Sequence, residues 1–364
     1  MAALDSPFYG LLCIATGVPS ATNVPLLRTP LLPELHLNIW EEGESAFLDI
    51  GLMLDALEQA QTFEFLVPWL VLDGQLEDLA ERLFERGAVP AVFNEGWEIT
   101  QGVGTAGRVT DPTSQQVLFS IMEVQSDLKV KEFTHQGKKL ASISVDVSSL
   151  RQKAALHNTA PKMYVRFRVK AVPKDFYRVG INQKDWFLMS SWQRTEIIDF
   201  RLNVRRGVPL GLEHSIGRFV QFAKVHLFLM KSRNQDIVFE DTLFKACRSL
   251  EDEKFWADYS LPKVADSRAR KKNLAHVKKS LGYQWTKVSV ATAGGTITPV
   301  KEYGILARYK DVRFGILKFV LIALVVGALG NALWDAVKLR FGETPTARKI
   351  QEWIAPAPNV GDQR

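Results

Sequence analysis

From Leu35 to Trp40 apolar and polar residues alternate, with Leu35, Leu37 and Ile39 on one side and His36, Asn38 and Trp40 on the other. A period of two is that of a half-buried strand. Residues 46–54 and 62–72 are further apolar, strand-like runs, the second broken by Pro68. Leu76, Leu79, Ala80, Leu83 and Phe84 repeat at helical spacing until Gly87, which predicts one helix there and extended chain over 89–100. Residues 1–106 therefore read as a mixed α/β region with a proline-rich lead-in over 18–33.

Strand patterns dominate residues 107–235, with candidates at 117–124, 128–133, 139–147, 163–169, 186–189, 196–204 and 219–230. Gly137, between the second and third, offers the positive φ of a hairpin turn. Such spacing predicts a β-rich, sandwich- or barrel-like domain. Beyond Asp236, Leu243, Phe244, Cys247, Leu250 and Phe255 fall at near-helical steps up to Pro262. A second helix is expected to reach Leu281, and two short strands flank Gly294 and Gly295. Residues 236–313 thus form a helical, basic juxtamembrane region, and the fold class overall is α+β.

Residues 319–334 contain no charge, and 314–334 contain only Lys318. At about 1.5 Å per residue, those 21 positions reach roughly 31 Å, the thickness of a hydrocarbon core. The reading is one transmembrane helix over 314–334, with Trp334 at an interface. Ala323, Gly327, Gly330 and Asn331 fall on one small, polar face, which suits close packing against another copy or the lining of a pore. The tail, 335–364, has Thr344 and Pro345 ahead of Ala347, Ile350, Trp353 and Ile354, the pattern of a short interfacial helix.

Composition changes this picture little. The chain has 364 residues, 46% of them hydrophobic and 24% charged, which excludes a disordered or collagen-like chain. Its net charge of +6 is concentrated: Lys263 to Lys279 hold seven cations against Asp266, so 7 − 1 = 6 and the remainder is neutral. Arg268, Arg270, Lys271, Lys272, Lys278 and Lys279 suit an anionic membrane surface. The N-terminus lacks a secretory pattern, which places the body in the cytosol, and Cys13 and Cys247 read as free thiols.

Local motifs for chemistry are few. Gly102, Gly104 and Gly107 spell a phosphate-cradling pattern, yet Arg108 to Thr113 show no helical period after it. None of the six histidines stands three or four positions from another, and no zinc or acyl-transfer motif is present. Neither a catalytic residue nor a cofactor or metal is implied, so an enzyme is not the first reading. The more informative feature is a pair of strands with cationic faces, Arg166 and Arg168 on one, Arg201 and Arg205 on the other. Were the strands neighbours, four guanidinium forks would converge on a phosphate, with Trp186 and Trp192 free to stack on a base.

The order of parts is a large body, a basic juxtamembrane helix, one span and a short tail. It resembles the membrane-anchored effectors of bacterial anti-phage defence systems. The resemblance implies a homo-oligomer at the bacterial inner membrane whose cytosolic body senses a nucleotide or oligonucleotide and controls a pore or membrane-disrupting span. Its partners would be membrane lipids, further copies of itself and that anionic ligand. The alternatives are a non-conducting tether that recruits a protein, and a membrane-held enzyme.

Overall fold

The computed structural model describes residues 10–17, 32–42, 45–55, 60–85, 87–101, 106–135, 137–156, 162–181, 193–204, 219–242, 244–260, 266–292, 297–312 and 316–341. The fold is α+β. The chain forms two units, residues 1–183 with 194–311, and residues 184–193 with 312–364.

The first unit begins with β1 (Leu12–Thr16), β2 (Glu34–Glu42), β3 (Ser45–Asp55), β4 (Thr62–Val67) and β5 (Leu76–Asp78). Two short helices follow, α1 (Ala80–Leu83) and α2 (Ala88–Phe93), then β6 (Glu98–Gln101), β7 (Ala106–Thr110), β8 (Val117–Met122), β9 (Leu128–His135) and β10 (Lys138–Asp146). Next come α3 (Val147–Leu156), β11 (Lys162–Val169), β12 (Arg178–Ile181), β13 (Gln193–Leu202), β14 (Lys224–Ser232), β15 (Gln235–Glu240) and β16 (Ala246–Ser249). The unit closes with α4 (Glu253–Ser260), α5 (Ser267–Lys278), β17 (Ser280–Val288), β18 (Val290–Ala291), β19 (Ile297–Thr298) and β20 (Tyr303–Val312).

A ten-stranded sheet is the centre of this unit, in the order β16-β17-β14-β2-β3-β11-β8-β7-β6, with β5 also paired to β11. It draws strands from all three stretches of sequence that precede the span. One face carries Leu35, Leu37, Ile39, Ile50, Leu52, Phe167 and Leu227, which pack with Phe63 and Phe65 of β4, Ile143 of β10, and Phe200 and Ile305 of β13 and β20. The two four-stranded sheets, β1-β4-β10-β9 and β12-β13-β20-β15, thus share this core. Lys231 reaches from β14 to Glu196 of β13 at 2.8 Å and to Glu41 of β2 at 2.9 Å, an ion cluster that ties the second small sheet to the large one. Trp40, Met53, Tyr164 and Met230 point to the other face and pack with residues of α1, α2, α4 and α5. The result is sheet, sheet and helix in three layers, and a central sheet buried on both sides.

Several sequence expectations stand. The 128–147 hairpin forms, with Gly137 at φ +76°. Others change. The helix expected over 76–87 divides into β5 and α1, because Leu76 to Asp78 pair with β11. The extended chain expected from residue 89 starts instead as α2, where Pro90 occupies the first turn and its missing N–H costs nothing. Among the described residues between 236 and 260 only α4 is helical; residues 246–249 join the sheet edge beside β17. Gly107 lies inside β7, so no helix starts at the third glycine as a pyrophosphate cradle requires; Gly102 and Gly104 lie outside the described residues.

In the second unit α6 (Ile316–Phe341) is long and apolar enough to cross a membrane, and none of Val320 to Arg340 is buried. The helix runs beyond Trp334 because no glycine or proline intervenes before Gly342. Lys338 sits 5.6 Å from the centre of the Trp334 ring, an aromatic and a cation paired one turn apart. The tail helix expected after Thr344 lies outside the described residues.

Gly51, in the middle of β3, has no room for a side chain: a Cβ there would stand 2.1 Å from the Tyr164 hydroxyl and 2.8 Å from its ring carbon. Tyr164 is fully buried and cannot step aside cheaply. Gly51→Ala should therefore lower stability by about 1–3 kcal/mol, read as a shift in the denaturant midpoint; an unchanged midpoint would show that Tyr164 is not held.

Candidate functional site

Strand register assembles the site. Arg166 lies opposite Gly51, Gly51 opposite His36, His36 opposite His226 and His226 opposite Thr286. This row crosses five neighbouring strands, β11, β3, β2, β14 and β17. Two residues along, a second row runs Arg168, Asp49, Asn38, Phe228 and Gln284. Period two puts both rows on the helix-covered face. The helical layer leaves a cleft there, floored by Arg166, His36, Asn38, His226, Phe228 and Gln284 and walled by Phe93 of α2 and Asn94 just after it, Arg248 of β16 and Trp256 of α4.

Beside the cleft lies a buried charge cluster. Asp49 is wholly buried and takes Arg168 in a two-point grip, Nε to Oδ1 at 2.6 Å and Nη2 to Oδ2 at 3.1 Å. Its Oδ2 also accepts from the Trp40 indole at 2.8 Å and the Tyr259 hydroxyl at 3.1 Å. Burial by itself would raise the Asp49 carboxyl; the charge and hydrogen bonds of Arg168, and then Arg166, hold it below its ordinary value.

Arg168 has a second task. Its Nη1 donates at 3.1 Å to the carbonyls of both Tyr259 and Ser260. Arg82 donates to the carbonyls of Asp258 and Tyr259 at 3.1 and 2.6 Å, and Asn273 to that of Ala257 at 2.8 Å. The last four carbonyls of α4, which the helix cannot satisfy itself, are thus all filled by side chains. Two cations at that end also oppose the helix dipole.

Arg166 is differently placed. Its Nε donates to the Tyr259 hydroxyl at 2.8 Å and its Nη1 to the Tyr164 hydroxyl at 2.9 Å. Its Nη2 has no hydrogen-bond acceptor, and the Asp49 oxygen nearest to it is 3.6 Å away. Two guanidinium groups share one carboxylate, so 2 − 1 leaves one buried positive charge at the cleft. His36 and His226 stay neutral around it. Burial, then the charges of His226, Arg166 and Lys224, push His36 well below its ordinary value. Burial, then Lys224 and Lys245, bring His226 down to about 3.

Of the four arginines read as one phosphate-binding face, Arg201 is not brought to Arg166 and Arg168. Arg166 and Arg168 belong to the ten-stranded sheet and Arg201 to β13 in another, where it grips Asp199 two positions away at 2.6 and 2.8 Å. Arg205, Trp186 and Trp192 lie outside the described residues. Nor is the polar side of β11 solvated: Arg166 and Arg168 are covered by α4, because helix carbonyls and Asp49 need their charge. Arg268, Arg270, Lys271, Lys272, Lys278 and Lys279 are exposed on or beside α5, whose buried side is Asn273 and Val277. Arg270 pairs with Asp258 at 2.9 Å and Lys278 with Glu253 at 3.4 Å. Cys13 and Cys247 are free thiols, the first buried and the second exposed.

His36, His226, Asn38 and Gln284 were not among the sequence candidates. The alternation of His36, Asn38 and Trp40 marked a polar side to β2, but nothing local joins His36 to a histidine 190 positions later.

Removing the Asp49 charge strands two buried guanidinium groups. Asp49→Asn should cost about 3–5 kcal/mol near neutral pH, measured by denaturant unfolding. The folded carboxyl titrates below its unfolded value of about 4. Its stabilisation is therefore complete above that pH and is lost as acid carries the solution through the folded pKa. The gap between wild type and Asp49→Asn should narrow below pH ~4; a constant gap would mean that the lost stability is not electrostatic.

No family model and no curated protein matches the chain. Among solved structures it is similar to the Fcho1 Mu homology domain of Danio rerio with bound Eps15 peptide, at 8% identity over 78% of this chain and 80% of that one. The TM-score of that superposition is 0.14, too low to bear on fold or function.

Proposed function

We propose that the protein is a single-pass membrane sensor whose body binds an anionic ligand in the cleft at Arg166 and whose span packs against further copies of itself. The observation that carries this reading is the Nη2 of Arg166. It is a fully buried, charged donor with no acceptor, beside a carboxylate already gripped by another arginine. An unmet charged donor costs more than the 1–3 kcal/mol of a neutral one, and an anion in the cleft removes that cost. Arg248, held to Asn94 on the cleft wall, adds a second fork, and Phe93 and Trp256 offer aromatic surface. A phosphate-bearing nucleotide or oligonucleotide has this chemistry.

The exposed cations of α5 favour a body that rests on an anionic leaflet, as at the cytosolic side of a bacterial inner membrane. On α6, neither Gly327 nor Gly330 has any atom within 4 Å of where a Cβ would stand, so a partner helix can come close at both. In the fuller reading, ligand in the cleft shifts the packing of spans along Ala323, Gly327, Gly330 and Asn331 and lets ions pass, as an anti-phage effector requires.

The cleft is tested with inorganic pyrophosphate and ribonucleoside triphosphates titrated into the full chain in detergent. Arg166→Gln, and separately Arg248→Gln, should each weaken binding by about 1.5–3 kcal/mol, roughly ten- to a hundredfold in Kd. Arg248 is only half-buried, so its variant keeps the test valid if Arg166→Gln misfolds. Binding by wild type that neither change affects would remove the ligand from this cleft.

The span is tested by light scattering in detergent. Gly327→Leu should lower the oligomer mass, and Leu324→Ala should leave it alone. Equal masses for wild type and Gly327→Leu would reduce α6 to a simple tether and favour a scaffold that recruits a protein.

A further inference from the structure

Three side chains at one edge of the cleft offer ligand atoms that nothing else uses. Glu34 and His36 are two apart on β2 and so share a face; His226 is on β14, which runs parallel to β2 with His226 opposite His36. One ligand atom from each of Glu34, His36 and His226 lies within 4.8 Å of the other two. The imidazole rings stand perpendicular, their centres 4.8 Å apart. Among the described residues no hydrogen bond or ion pair engages the Glu34 carboxylate.

We infer that Glu34, His36 and His226 form a binding site for a divalent transition-metal ion of the zinc class. Two imidazoles and a carboxylate are the donor set of open zinc sites, in which a fourth position is left for water or a ligand oxygen. Hard ions such as magnesium or calcium are disfavoured, since they take oxygen ligands. A tetrahedral ion would draw the three donor atoms to about 3.4 Å from one another, given ligand distances near 2.0–2.2 Å. Side-chain rotation on two adjacent strands supplies that closure.

The surroundings hold the rings as metal-binding histidines are held. His226 has its Nδ1 2.9 Å from the Thr286 hydroxyl and 3.3 Å from the Gln284 amide. His36 has its Nδ1 3.4 Å from the Tyr164 hydroxyl, which Arg166 fixes in turn. In the tautomer whose Nδ1–H donates, to the Thr286 hydroxyl in His226 and to the Tyr164 hydroxyl in His36, Nε2 carries the lone pair that ligates, and the Gln284 amide turns its oxygen toward His226. The Nε2 of His36 is buried and has no hydrogen-bond partner. A ring nitrogen sealed from water without a partner is a cost, and in the tautomer with Nδ1–H donating to Tyr164 a bound cation relieves it. Gly51 has a part as well: without a side chain it lets Tyr164 lie across the sheet beside His36.

Arg166 is not one of the three ligands, so the metal site stands without the anion reading. The two meet in one cleft, and an anion on Arg166 has an oxygen to offer to the open position of the ion.

The test is calorimetric titration of zinc into tag-free full chain in detergent, after treatment with a chelator, with the melting temperature read with and without zinc. Wild type should bind one equivalent and melt higher with zinc. His226→Gln and Glu34→Gln should each weaken zinc binding at least a hundredfold while melting as wild type does in chelator. Thr286→Val removes a supporting contact and no ligand, and should weaken binding roughly tenfold. Arg248→Gln, on the cleft wall and in contact with none of the three ligands, should bind zinc as wild type does while weakening pyrophosphate binding, which separates this site from the anion reading. Absence of zinc binding by wild type would overturn the inference, as would zinc binding that His226→Gln, Glu34→Gln and Thr286→Val all leave unchanged.

Discussion

Asp49 holds the helical layer of this protein on its central sheet. The carboxylate sits in the middle of β3, sealed from water, and meets Arg168 from β11, the Trp40 indole from β2 and the Tyr259 hydroxyl from α4. Burying such a charge is costly, and only a full set of charge-assisted bonds offsets it. Every group that supplies one is therefore fixed in place. Arg168 transmits the constraint by filling the end of α4, and Arg82, itself anchored on Glu77, fills the same helix end from α1. A sheet whose outer face should be wet is instead roofed by helices that its own charges secure.

The same cluster leaves a surplus of positive charge at the cleft. Two guanidinium groups with one carboxylate cannot both be neutralised, and the surplus falls on Arg166, on the cleft side. Tyr164 fits beside it only because position 51 is glycine. From there the row continues to two histidines that burial and neighbouring cations keep neutral. A cationic donor, two imidazoles and the Glu34 carboxylate thus lie within a few strands of each other, which is what the proposed anion and metal sites rest on.

The other functional element is simpler. The apolar stretch of α6 needs no tertiary partner to be understood, because its backbone bonds are internal and its side chains suit hydrocarbon. One face of it is small, with nothing within 4 Å of where a Cβ would stand at Gly327 or Gly330. The exposed cations on and beside α5 carry the net charge, and the rest of the chain is close to neutral.

Much of this was legible in the chain. Strand periods marked β2, β3 and β11, one glycine turned the 128–147 hairpin, and an uninterrupted apolar run announced the span, because each of these signals is local. The α+β class followed from them. The chain could also show that β11 has a cationic side, but not which way that side would go. Alternation is the same whether the polar face meets water or a helix, and only the packing of α4 against Arg166 and Arg168 decided it. The separation of Arg201 from Arg166 was likewise a matter of which strands pair. So was the meeting of His36 with His226, brought together by a parallel pairing across 190 residues that no local pattern encodes. Sequence determined the elements and the anchor; strand order and buried charge balance, which depend on contacts between distant parts, decided the site.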